Sequence, residues 1–89
     1  MVFKVGGKMF ATLAYEEVPC RMNLKYDPAR ALELRERYSS VIPGYHMNKK
    51  HWNTLILDGE LAVHEVKKLI DRSYELVVAS LPKSRRPAL

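Results

Sequence analysis

The sequence predicts an α+β fold, a two-layer sandwich in which one antiparallel sheet carries its helices on one face. Three observations predict it. Gly6 and Gly7 separate two β-prone segments, Cys20 to Tyr26 alternates strictly between apolar and polar, and the apolar residues after Leu61 repeat at steps of three or four. A period of two reads as a strand with one buried face and a period near 3.6 as an amphipathic helix.

Taken in order, Val2 to Val5 is a short strand and Met9 to Tyr15 its hairpin partner, because the paired glycines supply the positive φ angles of a tight turn. Cys20, Met22, Leu24 and Tyr26 then form the buried side of a strand whose wet side carries Arg21, Asn23 and Lys25. Asp27-Pro28 starts a helix to about Tyr38, with the Asp side chain capping the free amides and proline at the first helical position. Ala31, Leu34 and Tyr38 form its apolar stripe, and Glu33 and Arg37 are spaced to pair on the solvent side. Ser39 to Lys50 reads as a long connection, with a short extended piece around Tyr45 and His46. Trp52 to Leu57 is a second strand closed by Asp58-Gly59. The longest helix follows, burying Val63, Val66, Ile70, Tyr74, Val77 and Leu81, until Pro82 stops it and leaves a loose tail from Lys83 to Leu89. Two helices leave part of the sheet's apolar face uncovered, which in a small domain favours dimerisation.

All 89 residues form one domain, since a chain of this size cannot build two cores. With 47% hydrophobic and 28% charged residues it is neither disordered nor a membrane protein, and its longest apolar run, Leu76 to Ala79, is far too short to span a bilayer. Fifteen lysines and arginines against ten acids give a net charge of +5, a field that favours phosphate-rich partners. A single cysteine, Cys20, excludes an internal disulfide and any CxxC motif. With no apolar signal segment in MVFKVGGKMF, the expected location is cytoplasmic.

The stretch from Pro43 to Asn53 concentrates Tyr45, Trp52, His46, His51, Lys49, Lys50, Asn48 and Asn53. No metal is expected there, because histidines five apart face one ion neither on a strand nor on a helix. No cofactor or catalytic residue is expected elsewhere. Cys20 lies on an apolar strand face, Glu16-Glu17 is a solvated loop pair, and Gly6-Gly7-Lys8 lacks the spaced glycines and following helix of a phosphate loop. Nucleic acid stays open. Lys49, Lys50, Arg85 and Arg86 offer cations for phosphates, and the wet face with Arg21, Lys25, Lys4 and Lys8 extends them. Trp52, at the start of an apolar strand, is expected in the core.

Laid side by side, these segments resemble the MmcQ/YjbR family over essentially the whole chain. The likeness rests on Val2-Phe3-Lys4-Val5-Gly6-Gly7-Lys8-Met9-Phe10, on Asp27-Pro28 followed by Ala31-Leu32-Glu33-Leu34-Arg35, on Pro43 to Thr54, and on Ser73-Tyr74-Glu75-Leu76-Val77-Val78. The resemblance implies a frataxin-like (CyaY-like) α+β fold and DNA binding through paired wing-like hairpins. That binding points to Lys4 and Lys8 in the first hairpin and to His46, Asn48, Lys49, Lys50 and His51 in the signature segment. It implies no catalytic residue, and the acidic ridge of frataxin iron chemistry has no counterpart here. Family members usually begin with a further N-terminal helix beside the C-terminal one. This chain starts at the first strand, so self-association through the exposed strip is expected, and a stable monomer at high micromolar concentration in sedimentation would refute it. The expectation is therefore a non-enzymatic cytoplasmic DNA-binding domain. Its alternative is a small-molecule or protein interaction module with a groove lined by Tyr45, His46, Asn48, His51 and Trp52.

Overall fold

In a computed structural model the chain is described at residues 1–44 and 47–87. The expected extended piece at Tyr45 and His46 lies outside the described residues. The elements are β1 (Val2–Val5), β2 (Lys8–Ala14), β3 (Arg21–Lys25), α1 (Pro28–Arg37), β4 (Val41–Pro43), β5 (Trp52–Ile56) and α2 (Val63–Ser80), with a 3-10 turn at Lys83–Arg85. Five antiparallel strands form one sheet in the order β1-β2-β3-β5-β4. Both helices pack on one face, α2 over β1 to β3 and α1 over β4 and β5. The α+β sandwich is thus as the periodicities predict. β4 was not among the predicted strands. Three residues give no readable period, and Pro43 is tolerated because β4 is an edge strand.

The register assigns every side chain to a face. Leu24 pairs with Ala11 and Asn53, and Met22 with Leu13 and Leu55, which puts these residues under the helices. Ala11, Leu24, Val41, Leu55, Leu61 and Leu69 form the main core, and Val5, Val77 and Leu81 a second one. Phe10 packs against both. It can do so because β2 is bulged: Phe3 faces Ala11 while Lys4 faces Met9, so Phe10 is the extra residue and is re-aimed toward the helices. There it meets the Tyr74 ring edge-on at 5.2 Å.

The bulge also strands two backbone groups. Ser73 on α2, fully buried, reclaims both: its hydroxyl donates to the Phe10 carbonyl at 2.6 Å and accepts from the Lys25 amide at 2.9 Å. The buried line of α2 is accordingly Leu69, Ser73 and Val77. This corrects the predicted stripe at Val63 and Tyr74, while Val77 and Leu81 are buried as predicted. Val63 is 72% exposed and Tyr74 37%; open apolar hollows border Val63, Val66 and Ile70, of which Val66 and Ile70 also pack against the main core. One such hollow, about 230 Å³, is lined by Phe3, Phe10, Ala11, Leu13, Met22 and Ile70, so the sheet's apolar face does extend beyond its two helices.

Three local expectations also change. Asp27 sits at the α1 N-cap but makes no side-chain cap bond, because its carboxylate takes a two-pronged, charge-assisted pairing with Arg72, at 3.0 and 3.1 Å, that a neutral amide cannot match. Glu33 and Arg37 form no ion pair; the Arg37 guanidinium lies over the Tyr38 ring, 5.4 Å from its centre. The tail is not loose over its described length. Arg86 donates to the Leu81 and Ala79 carbonyls, closing the free end of α2 as a C-terminal cation does.

Candidate nucleic-acid interface

The topology sorts the connections into two groups. β1 ends, β2 begins, β3 ends and β5 begins at one end of the sheet, so the Gly6-Gly7 turn, the β3–α1 link, Gly44 and residues 47–51 lie there. The end of α2 joins them. A Cβ built on Gly6 would stand 2.5 Å from Leu81 Cδ1 and 2.8 Å from the Arg85 carbonyl oxygen. Only glycine fits this contact, and with φ of +56° and +83° the Gly6-Gly7 turn needs it twice over.

This end is basic. Its connections carry Lys49, Lys50 and His51 and the end of α2 adds Lys83, Arg85 and Arg86, with Lys4, Lys8 and Lys25 on the strands beside them. The sole carboxylate on those connections is Asp27, and hydrogen bonding to Arg72 holds its acid well below the usual carboxylate range. The opposite end carries Glu16, Glu17, Asp58 and Glu60. There Glu17 pairs with Arg21 at 3.3 Å, and Glu60 accepts from the Ser40 amide at 2.7 Å and the Ser39 hydroxyl at 3.2 Å.

The tip with the two lysines is built from within. Asn48 accepts twice on its carbonyl, from the His51 and Trp52 amides at 3.2 and 2.9 Å, while its side chain accepts from the Lys50 amide at 3.0 Å in an Asx turn. That tight turn leaves Lys49 and Lys50 exposed at its apex. Its base is clamped by Arg35 of α1, which donates to the Lys49 carbonyl, to the Trp52 carbonyl at 3.3 Å and to Asn53 Oδ1 at 2.6 Å. Asn53, 1% exposed, donates onward to the Ala31 carbonyl at 3.3 Å. The His51 carbonyl accepts from the Tyr26 amide at 2.8 Å, which extends the β3–β5 ladder by a step.

Of the residues singled out, the fold therefore brings Lys4, Lys8, Asn48, Lys49, Lys50 and His51 to one end of the sheet. His46 and Tyr45 lie outside the described residues. Lys8 faces Val5 across the hairpin and so stands on the helix side, whereas Lys4 is on the open side. Trp52 corrects its core expectation: it pairs with Lys25 on the open face, half-buried, because Asn53 next to it faces α1. An aromatic ring and a lysine thus lie side by side on an uncovered sheet. Of the alternative groove's described residues, Asn48 accepts from the loop's own Lys50 amide and Trp52 lies on the open face of the sheet. Among the described residues no cluster of three or more His, Cys, Asp or Glu side chains could hold a metal ion, and no helix is long and apolar enough to cross a membrane.

Arg35 and Asn53 were overlooked as contributors to the site. A signal existed: Arg35 lies four residues after Ala31, on the side of α1 that faces the sheet, where a cation needs buried acceptors.

The YjbR family model matches residues 1–76, from the first strand through most of α2. The chain belongs to the YjbR family. It is 42% identical over 82 residues to the uncharacterized protein YbdF of Escherichia coli, covering 92% of this chain and 67% of that one. It is 38% identical over 86 residues to uncharacterized YjbR of Escherichia coli, covering 97% and 73%. Among solved structures, Deinococcus radiodurans protein DR2400, a DUF419 domain, superposes with a TM-score of 0.82 at 40% identity, covering 88% of this chain and 58% of that one. A crystal structure from Pseudomonas syringae superposes with a TM-score of 0.74 at 31% identity, covering 84% and 74%. The chain thus spans little more than half of the Deinococcus protein.

Proposed function

We propose that this YjbR-family domain binds duplex DNA non-enzymatically, through phosphate contacts from the basic end of the sheet. The segregation of charge supports the reading: among the described residues the lysines at one end make no ion pair, and Glu17 and Glu60 at the other are tied into the fold. Lysines left without ion pairs in a fold that pairs other charges are free to displace counterions from a phosphate backbone. Scale supports it as well. From the β1–β2 turn to the β4–β5 connection is about three strand spacings, roughly 15 Å, commensurate with the roughly 12 Å major groove that separates two phosphate rows. The neighbouring Trp52 and Lys25 supply a ring and a cation for a frayed or single-stranded base.

Fluorescence anisotropy of labelled duplex at about 50 and 200 mM salt tests the reading. Micromolar affinity that falls by orders of magnitude over that interval, and that falls further in a Lys49→Ala, Lys50→Ala double variant, is the expected result. Absence of binding at low salt, or binding indifferent to salt, overturns it.

A further inference from the structure

The two helices share a face of the sheet without packing on each other. Packed helices run 8–10 Å apart with interleaved side chains. Here the space between them is instead a trough of about 410 Å³, within the range of small-ligand sites. Its floor is Leu34 and Leu69, and Tyr26 and Tyr38, which flank α1, stand at its two ends. A second, much smaller gap continues beneath it, bordered by the same two leucines and Tyr26.

The walls are charged in an unusual way. Arg30 and Arg37 line the trough from α1 and Lys68 from α2, and none of the three makes an ion pair. This holds although Glu33 lies at pairing distance along the helix from both arginines. With Glu33 and Glu65 on the same walls the lining carries three cations and two carboxylates, a net charge of +1 that favours an anion. Glu33 and Glu65, also on the walls, accept from hydroxyl or amine groups. The Tyr26 ring offers a face for a planar base, whereas the Arg37 guanidinium already lies over the Tyr38 ring.

We propose that this trough is a site for a nucleoside monophosphate. The phosphate lies between Arg30 and Lys68, the base packs against a tyrosine, and the carboxylates take the ribose hydroxyls or an exocyclic amine. The site is on the helix layer and stands apart from the DNA reading of the sheet's basic end, so either can fail alone.

Adenosine monophosphate titrated into isotope-labelled protein, with backbone amide shifts followed by NMR, is the direct test. Expected are saturable shifts in α1 and in residues 64–69 with a dissociation constant below about 1 mM, and at least tenfold weaker effects from adenosine or inorganic phosphate alone. Lys68→Glu and, separately, Arg30→Gln should each weaken binding by about tenfold or more while leaving the thermal midpoint within a degree or two. Shifts confined to residues 4–8 and 48–51 would overturn the proposal in favour of phosphate capture at the basic end. Shifts that do not saturate, or that both variants leave untouched, would overturn it as well.

Discussion

At the end of the sheet where Gly6 and Gly7 turn the chain, the lysines make no ion pair among the described residues, whereas at the opposite end Glu17 and Glu60 are tied into the fold. The two ends are built alike, each from strand-to-strand and strand-to-helix connections on the same five strands. They differ in what their charges do. Glu60 holds the Ser39-Ser40 corner that launches β4, and Glu17 holds Arg21 at the start of β3. At the basic end the fold secures the backbone instead: Arg35, Asn48 and Asn53 fix the loop, and the lysine side chains project from it. Backbone fixed by buried groups with side chains left in solvent is the arrangement of a preorganised binding surface, whereas charge consumed internally supports folding.

The strongest way to break this contrast is to remove what both ends share. Leu55, 1% exposed at the centre of the sheet, should cost about 2–5 kcal/mol as Leu55→Ala, with both ends melting together in urea unfolding followed by site-specific probes. Independent melting of the ends would mean the contrast is between two units, not two ends of one. Ser73→Ala leaves the Phe10 carbonyl and Lys25 amide unpaired, and a loss of about 1–3 kcal/mol is expected, with faster amide exchange at Lys25 and no change in the segment near Asn48. Charge exchange sharpens the comparison further. Lys49→Glu with Lys50→Glu should lower duplex affinity by about tenfold or more and flatten its salt slope by about two, while Glu16→Lys with Glu17→Lys at the acidic end should not weaken it. Equal effects from the two pairs would reduce the result to net charge.

The smallest effect concerns the one acid of the basic end. Because Arg72 holds the Asp27 acid below its ordinary value near 4, the folded form favours the carboxylate. The stability this contributes is complete above pH of about 4 and is lost as pH falls through the lowered value. Thermal midpoints of the protein and of Asp27→Asn should therefore differ modestly at neutral pH and converge as the pH falls through that lowered value. A difference that persists at low pH would assign the effect to packing instead of charge.

Much of this was legible residue by residue. The Gly6-Gly7 hairpin, the alternating β3 and the Asp27-Pro28 helix start follow from local conformational preference, and each appears within a residue or two of its expected place. Failures came where a residue's partner is distant in sequence. Asp27 left its expected cap for Arg72, 45 residues away. Tyr74 and Val63 fit the apolar period of α2, yet the helix is rotated to bury Ser73, whose hydroxyl serves both the Phe10 carbonyl at the β2 bulge and the Lys25 amide on β3. Trp52 looked like core from its strand, and a register offset by one residue from that expectation puts it outside.

Composition and periodicity by themselves determined an α+β fold and a basic balance, since burying apolar residues at spacings of two and 3.6 leaves few alternatives. The location of its charge was decided only by tertiary structure. Lys8, Lys25, Lys49 and Arg85 are separated by up to 77 residues and have no local reason to meet. Antiparallel pairing brings every second connection to the same end of the sheet, and the contact of Leu81 with Gly6 folds the tail back beside them.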